Sequence, residues 1–79
     1  MAPERFEGPV KRSVTIAGHE TSISLEPMFW RALEKASREL GLPVNAVVAR
    51  VDAERLDGPV APNLTSALRQ WLLDRAANG

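Results

Sequence analysis

Between Lys11 and Glu26 apolar residues alternate with polar ones, and the phase of that alternation changes halfway along. Val14 and Ile16 hold even positions, whereas Thr21, Ile23 and Leu25 hold odd ones. Period two marks a strand with one buried face. A straight strand carrying both sets would turn half of its apolar side chains to water. The chain must therefore turn or bulge near Gly18. A two-residue hairpin at Gly18-His19, with glycine first in a type II′ turn, opposes Ile16 with Thr21, Val14 with Ile23 and Arg12 with Leu25. Directly opposed residues share a face. Val14, Ile16, Ile23 and Leu25 then collect on one side, and Ser13, Thr15, Ser22 and Ser24 on the other. A bulge at Gly18 is the alternative.

Beyond the hairpin the period lengthens. Pro27 suits the first turn of a helix, and Phe29, Trp30, Leu33, Ala36, Ser37 and Leu40 recur at helical spacing. Glu34 and Arg38 form an i,i+4 pair on the solvent side, and Gly41 stands where a C-terminal cap belongs. These signals predict a helix over 27–40. Leu42-Pro43 opens a second helix striped with Val44, Val47, Val48 and Val51; β-branched residues lower its intrinsic propensity, so packing must hold it. Gly58-Pro59 and Pro62 end it. Asn63 caps a third helix over 63–77, where Leu64, Ala67, Leu68, Trp71 and Leu72 form the buried stripe. Residues 1–10, with Pro3, Gly8 and Pro9, read as a flexible arm ahead of a single domain over 11–79.

A chain of 79 residues buries only about 60% of its unfolded surface, which is marginal for a lone core. Small proteins compensate with disulfides, a metal or a partner chain. Cysteine is absent and histidine occurs once, so disulfides, thiolate zinc sites and histidine-rich metal sites are ruled out. Oligomerisation is the remaining route. No apolar run approaches the roughly 20 residues that cross a bilayer, and a cytoplasmic location is expected. Ten basic residues balance ten acidic ones. Binding to DNA rests largely on neutralised phosphates, so any such contact must come from local clusters.

The order strand, helix, glycine turn, helix, with Gly41-Leu42-Pro43-Val44-Asn45 between the helices, resembles the Arc repressor-like ribbon-helix-helix family. The stretch TSISLEPMFWRALEKASRELGLPVNAVVARVDAERL (residues 21–56) looks like its core. With KRSVTIAGHETSISLEP and NLTSALRQWLL included, residues 11–76 look closer still to a bacterial subfamily of such domains. The resemblance implies a mostly α fold with a short N-terminal β-ribbon, an extra C-terminal helix and an intertwined homodimer. The dimer core would draw on Val14, Ile16, Ile23, Leu25, Phe29, Trp30, Leu33, Val44, Val47, Val48, Val51, Leu68 and Trp71. It also implies a ribbon that enters the major groove, and a second helix whose first N–H groups hold a phosphate near Val44 and Asn45.

On that frame the outward residues of the ribbon are Glu20, Ser22 and Ser24, in reach of base edges. Lys11 and Arg12 form the densest basic pair and suit phosphate contact, with Arg5 joining from the arm. Asn45 read without the resemblance is a capping or turn residue, and His19 is a solvent-exposed residue at the hairpin tip. No catalytic constellation, cofactor motif or metal site is discernible, so an enzyme is not expected. Two functions remain. One is a dimeric regulator that binds double-stranded DNA through the ribbon. The other is an antitoxin-like or adaptor module that binds a protein through the third helix or the hydroxyl-rich sheet face. If each subunit brings a hairpin, the dimer sheet has four strands and exceeds the groove in width.

Overall fold

The computed structural model describes residues 6–78. Strand β1 (Val10–Ile16) pairs antiparallel with β2 (His19–Leu25), and three helices follow: α1 (Pro27–Leu40), α2 (Val44–Leu56) and α3 (Leu64–Asn78). Of the arm expected over 1–10, residues 1–5, Arg5 among them, lie outside the described residues. Residues 6–9 are exposed and carry no strand or helix.

The hairpin turns one residue earlier than its sequence suggested. Ala17 and Gly18 occupy the turn, both at positive φ (50° and 82°), the signature of type I′. Ile16 therefore opposes His19, Val14 opposes Thr21, Arg12 opposes Ile23 and Val10 opposes Leu25. His19 is the first residue of β2 rather than part of the turn. A turn at Gly18-His19 would have left Val10 and Lys11 beyond the end of β2. The observed register pairs Val10 instead, and its carbonyl accepts the indole N–H of Trp30 at 2.9 Å. Anchoring β1 to α1 in this way offsets the strain of an alanine in the left-handed region. The opposition shifts by two residues, an even number, so every side chain stays on its expected face.

Glu26 precedes α1, and its carbonyl accepts the N–H groups of Phe29 and Trp30. The helix ends in a Schellman motif: Gly41 at φ 67° donates to Arg38, and Leu42 donates to Ser37. The Ser37 hydroxyl also donates to the carbonyl of Leu42. Asn63 caps α3 as anticipated, its Oδ1 accepting the Ser66 N–H at 2.8 Å. Arg55 reaches from α2 to the Pro62 carbonyl at 3.2 Å and holds the intervening loop.

The apolar face of the hairpin closes on the helices. Val14, Ile23, Leu25, Trp30, Leu33, Val47, Val48, Val51 and Leu68 are buried within one subunit, with Ala36, Ala67 and Leu72. Ile16, Phe29, Val44 and Trp71 pack against them half-buried. These include all the residues expected in a dimer core. Here β1 and α3 of the same chain cover them, two elements that a bare strand-helix-helix unit would lack.

Candidate nucleic-acid interface

Because the hairpin buries one face, its other face is a defined surface. Lys11, Ser13 and Thr15 on β1 stand opposite Ser24, Ser22 and Glu20 on β2. All are exposed except Ser24, which is half-buried. Every one of these side chains is able to donate or accept hydrogen bonds, and none is apolar. Ser13 and Thr15 belong to this face as fully as the anticipated Glu20, Ser22 and Ser24, and period two was the signal that placed them there.

Lys11 and Arg12, expected as one basic pair, lie on different faces of the hairpin. Adjacent strand residues point to opposite faces, and Arg12 lies on the helix side. Its Cζ sits 4.8 Å from the Trp30 ring centroid, and its Nη1 is 3.1 Å from Glu34 Oε1. Glu34 is thereby taken from the i,i+4 partner expected for it, Arg38. Among the described residues Lys11 is the one cation on the outward sheet face.

The start of α2 is the second element. Pro43 occupies the N-cap and supplies no side-chain acceptor. Its carbonyl satisfies the N–H groups of Ala46 and Val47, leaving those of Val44 and Asn45 without a partner among the described residues. Asn45 sits exposed within the first turn, not at the cap. Its alternative as a capping residue is thus set aside. Uncapped N–H groups and the positive end of the helix dipole together suit an anion.

Elsewhere some of the charges pair with one another. Glu26 takes the Arg69 guanidinium through both carboxylate oxygens at 3.0–3.2 Å. The backbone N–H of Glu26, with Arg69 second, holds this carboxyl below its ordinary pKa. Arg75 pairs with Glu39 at 3.3 Å and Arg55 with Asp52 at 2.7 Å. Among the described residues no group of His, Asp or Glu is placed to hold a metal ion. Nor, among these residues, is any helix long and apolar enough to cross a membrane.

Compared with known families, residues 9–76 match the family model described as the ribbon-helix-helix domain. No curated protein and no solved structure matches the chain.

Proposed function

Because the chain belongs to the ribbon-helix-helix family, we propose that it is a homodimeric, non-enzymatic DNA-binding regulator of the cytoplasm. The observation that carries this reading is the all-polar outward face of the hairpin. Among the described residues the two-stranded sheet leaves both edges unpaired, and joining two copies through β2 would give a sheet of four strands. At about 4.8 Å between strands, its outer strands stand about 14 Å apart. The major groove is only about 12 Å wide. The inner strands would therefore face base edges with Glu20, Ser22 and Ser24. The outer strands would lie over the sugar-phosphate walls with Lys11, Ser13 and Thr15. Hydroxyl groups bond several bases and discriminate little, so this surface is suited to modest specificity. The free N–H groups of Val44 and Asn45 would hold a phosphate.

Fluorescence anisotropy with a random-sequence duplex over a salt series tests this. Binding at about 50 mM salt that weakens steeply as salt rises is the expected result. Lys11→Glu should weaken it further. Absence of binding at low salt would overturn the reading. A protein-binding module would then be favoured, its docking site on α3, where Leu73 is 71% exposed.

A further inference from the structure

The outer face of α1 carries a stripe that the hairpin reading does not use. Arg31, Lys35 and Arg38 follow i, i+4, i+7 spacing and are all exposed. At about 100° per residue they project within about 60° of one another. Trp30, Leu33 and Ala36 occupy the opposite, buried side of the helix. Two carboxylates flank the stripe, and both are committed away from it. Glu34 turns to Arg12 on β1 and Glu39 turns to Arg75 on α3. Glu26, at the start of α1, is held by Arg69. None of the three cations has an ion-pair partner among the described residues. A chain with no net charge thus shows three unneutralised positive charges along about 10 Å of one helix.

We propose that this stripe is a phosphate-contacting surface for duplex DNA, separate from the sheet face and the start of α2; the inference rests on the DNA-binding reading above. The chemistry fits a polyanion of regular spacing. Phosphates recur at regular intervals along each strand, so cations one helical turn apart can each meet a phosphate. Long, flexible cationic side chains suit backbone contact, which positions without specifying sequence. Among the described residues the outward sheet face carries one cation, Lys11, and one carboxylate, Glu20.

The test compares the full-length protein with the triple variant Arg31→Ala, Lys35→Ala, Arg38→Ala. Alanine is the best helix former and the three side chains carry no ion pair, so α1 should persist. Circular dichroism and a melting curve check this, because Arg38 also complements the C-terminal end of the helix dipole. Each phosphate no longer neutralised should lower the log–log salt slope by about 0.9. With three fewer phosphates neutralised per subunit, the affinity drop between about 50 and 200 mM salt should shrink by about 40-fold for each subunit of the dimer that engages the duplex. A folded variant with unchanged slope and affinity would overturn the stripe and leave the sheet reading standing. Loss of slope in the triple variant while Lys11→Glu binds as tightly as wild type would support the stripe and refute the sheet. A wild-type protein that binds no duplex refutes both. A variant that falls from dimer to monomer in sedimentation would mark the stripe as a subunit contact and overturn the proposal.

Discussion

The turn at Ala17-Gly18 allows a sharp test, because the two hairpin registers predict opposite signs for the same substitution. Ala17 sits at φ 50°, where an L-residue with a Cβ costs about 1–2 kcal/mol. Asparagine enters this region more readily and is favoured at the first central position of a type I′ turn. The position is exposed, so the larger side chain meets no packing penalty. Ala17→Asn should therefore stabilise the fold by about 1 kcal/mol, which for a domain of this size raises Tm by about 4–8 °C. Ala17→Gly removes the same strain but gives back about 0.5–1 kcal/mol of chain entropy, so its gain should be smaller.

A turn at Gly18-His19 would place Ala17 in β1, where asparagine and glycine are both poor strand residues. Both substitutions would then lower Tm. Thermal melts of the three proteins at one concentration decide the matter. NMR contacts between Val14 and Thr21, rather than Val14 and Ile23, report the register directly. A fall in Tm for Ala17→Asn, or a Val14–Ile23 cross-strand contact, would refute the strained-turn argument.

Three further outcomes follow from the packing and charges. Leu33 is fully buried, so Leu33→Ala should cost about 2–5 kcal/mol in a denaturant titration. Asn63→Ala removes the α3 cap and should cost about 1 kcal/mol, seen as lost amide-exchange protection at Ser66. Glu26 has its pKa lowered by its own backbone N–H and by Arg69. The stability it contributes is therefore complete above the unfolded pKa, near about 4.3, and is lost as pH falls through the folded value. Glu26→Gln should flatten the acid limb of the stability–pH curve, and an unchanged limb would contradict the assignment.

The helices and most of the buried face were legible because their signals are redundant. In α1, Pro27, the apolar spacing and Gly41 each state the same boundaries, and the structure places them at Pro27 and Leu40. The hairpin faces were legible from period two alone. The register was not, because a shift of two residues preserves every face and so leaves no trace in the pattern. What chose between registers lay far along the chain: the Trp30 indole, 20 residues beyond the Val10 carbonyl it binds. Local turn chemistry favoured an unstrained glycine-first turn, and a tertiary contact overrode it. The same distance hid the fate of Arg12. As part of Lys11-Arg12 it read as half of a basic pair, and only its ring contact and Glu34 reveal it as a side chain fixing β1 to α1.

Pairing also decides what a neutral chain presents to its surroundings. Zero net charge argues against polyanion binding only if opposite charges mix evenly over the surface, because fields from interspersed charges cancel beyond about a Debye length of 10 Å. Here they do not mix evenly. The carboxylates of Glu34 and Glu39 are drawn off α1 by cations on β1 and α3. Glu54 and Asp57 lie exposed at the end of α2, without ion pairs among the described residues. These two bridges thus fasten β1 and α3 to α1 and leave the cations of α1 uncompensated. Exposed pairs of this kind contribute little to stability, about 0–1 kcal/mol each, so their larger consequence is where the remaining charge is left. Arg12→Ala puts that consequence to use. Freed from β1, Glu34 returns to its i,i+4 partner Arg38, and the positive stripe is partly neutralised from within. Weaker duplex binding by Arg12→Ala, although Arg12 itself faces the helices, is the outcome this argument requires, and unchanged affinity in that variant would defeat it.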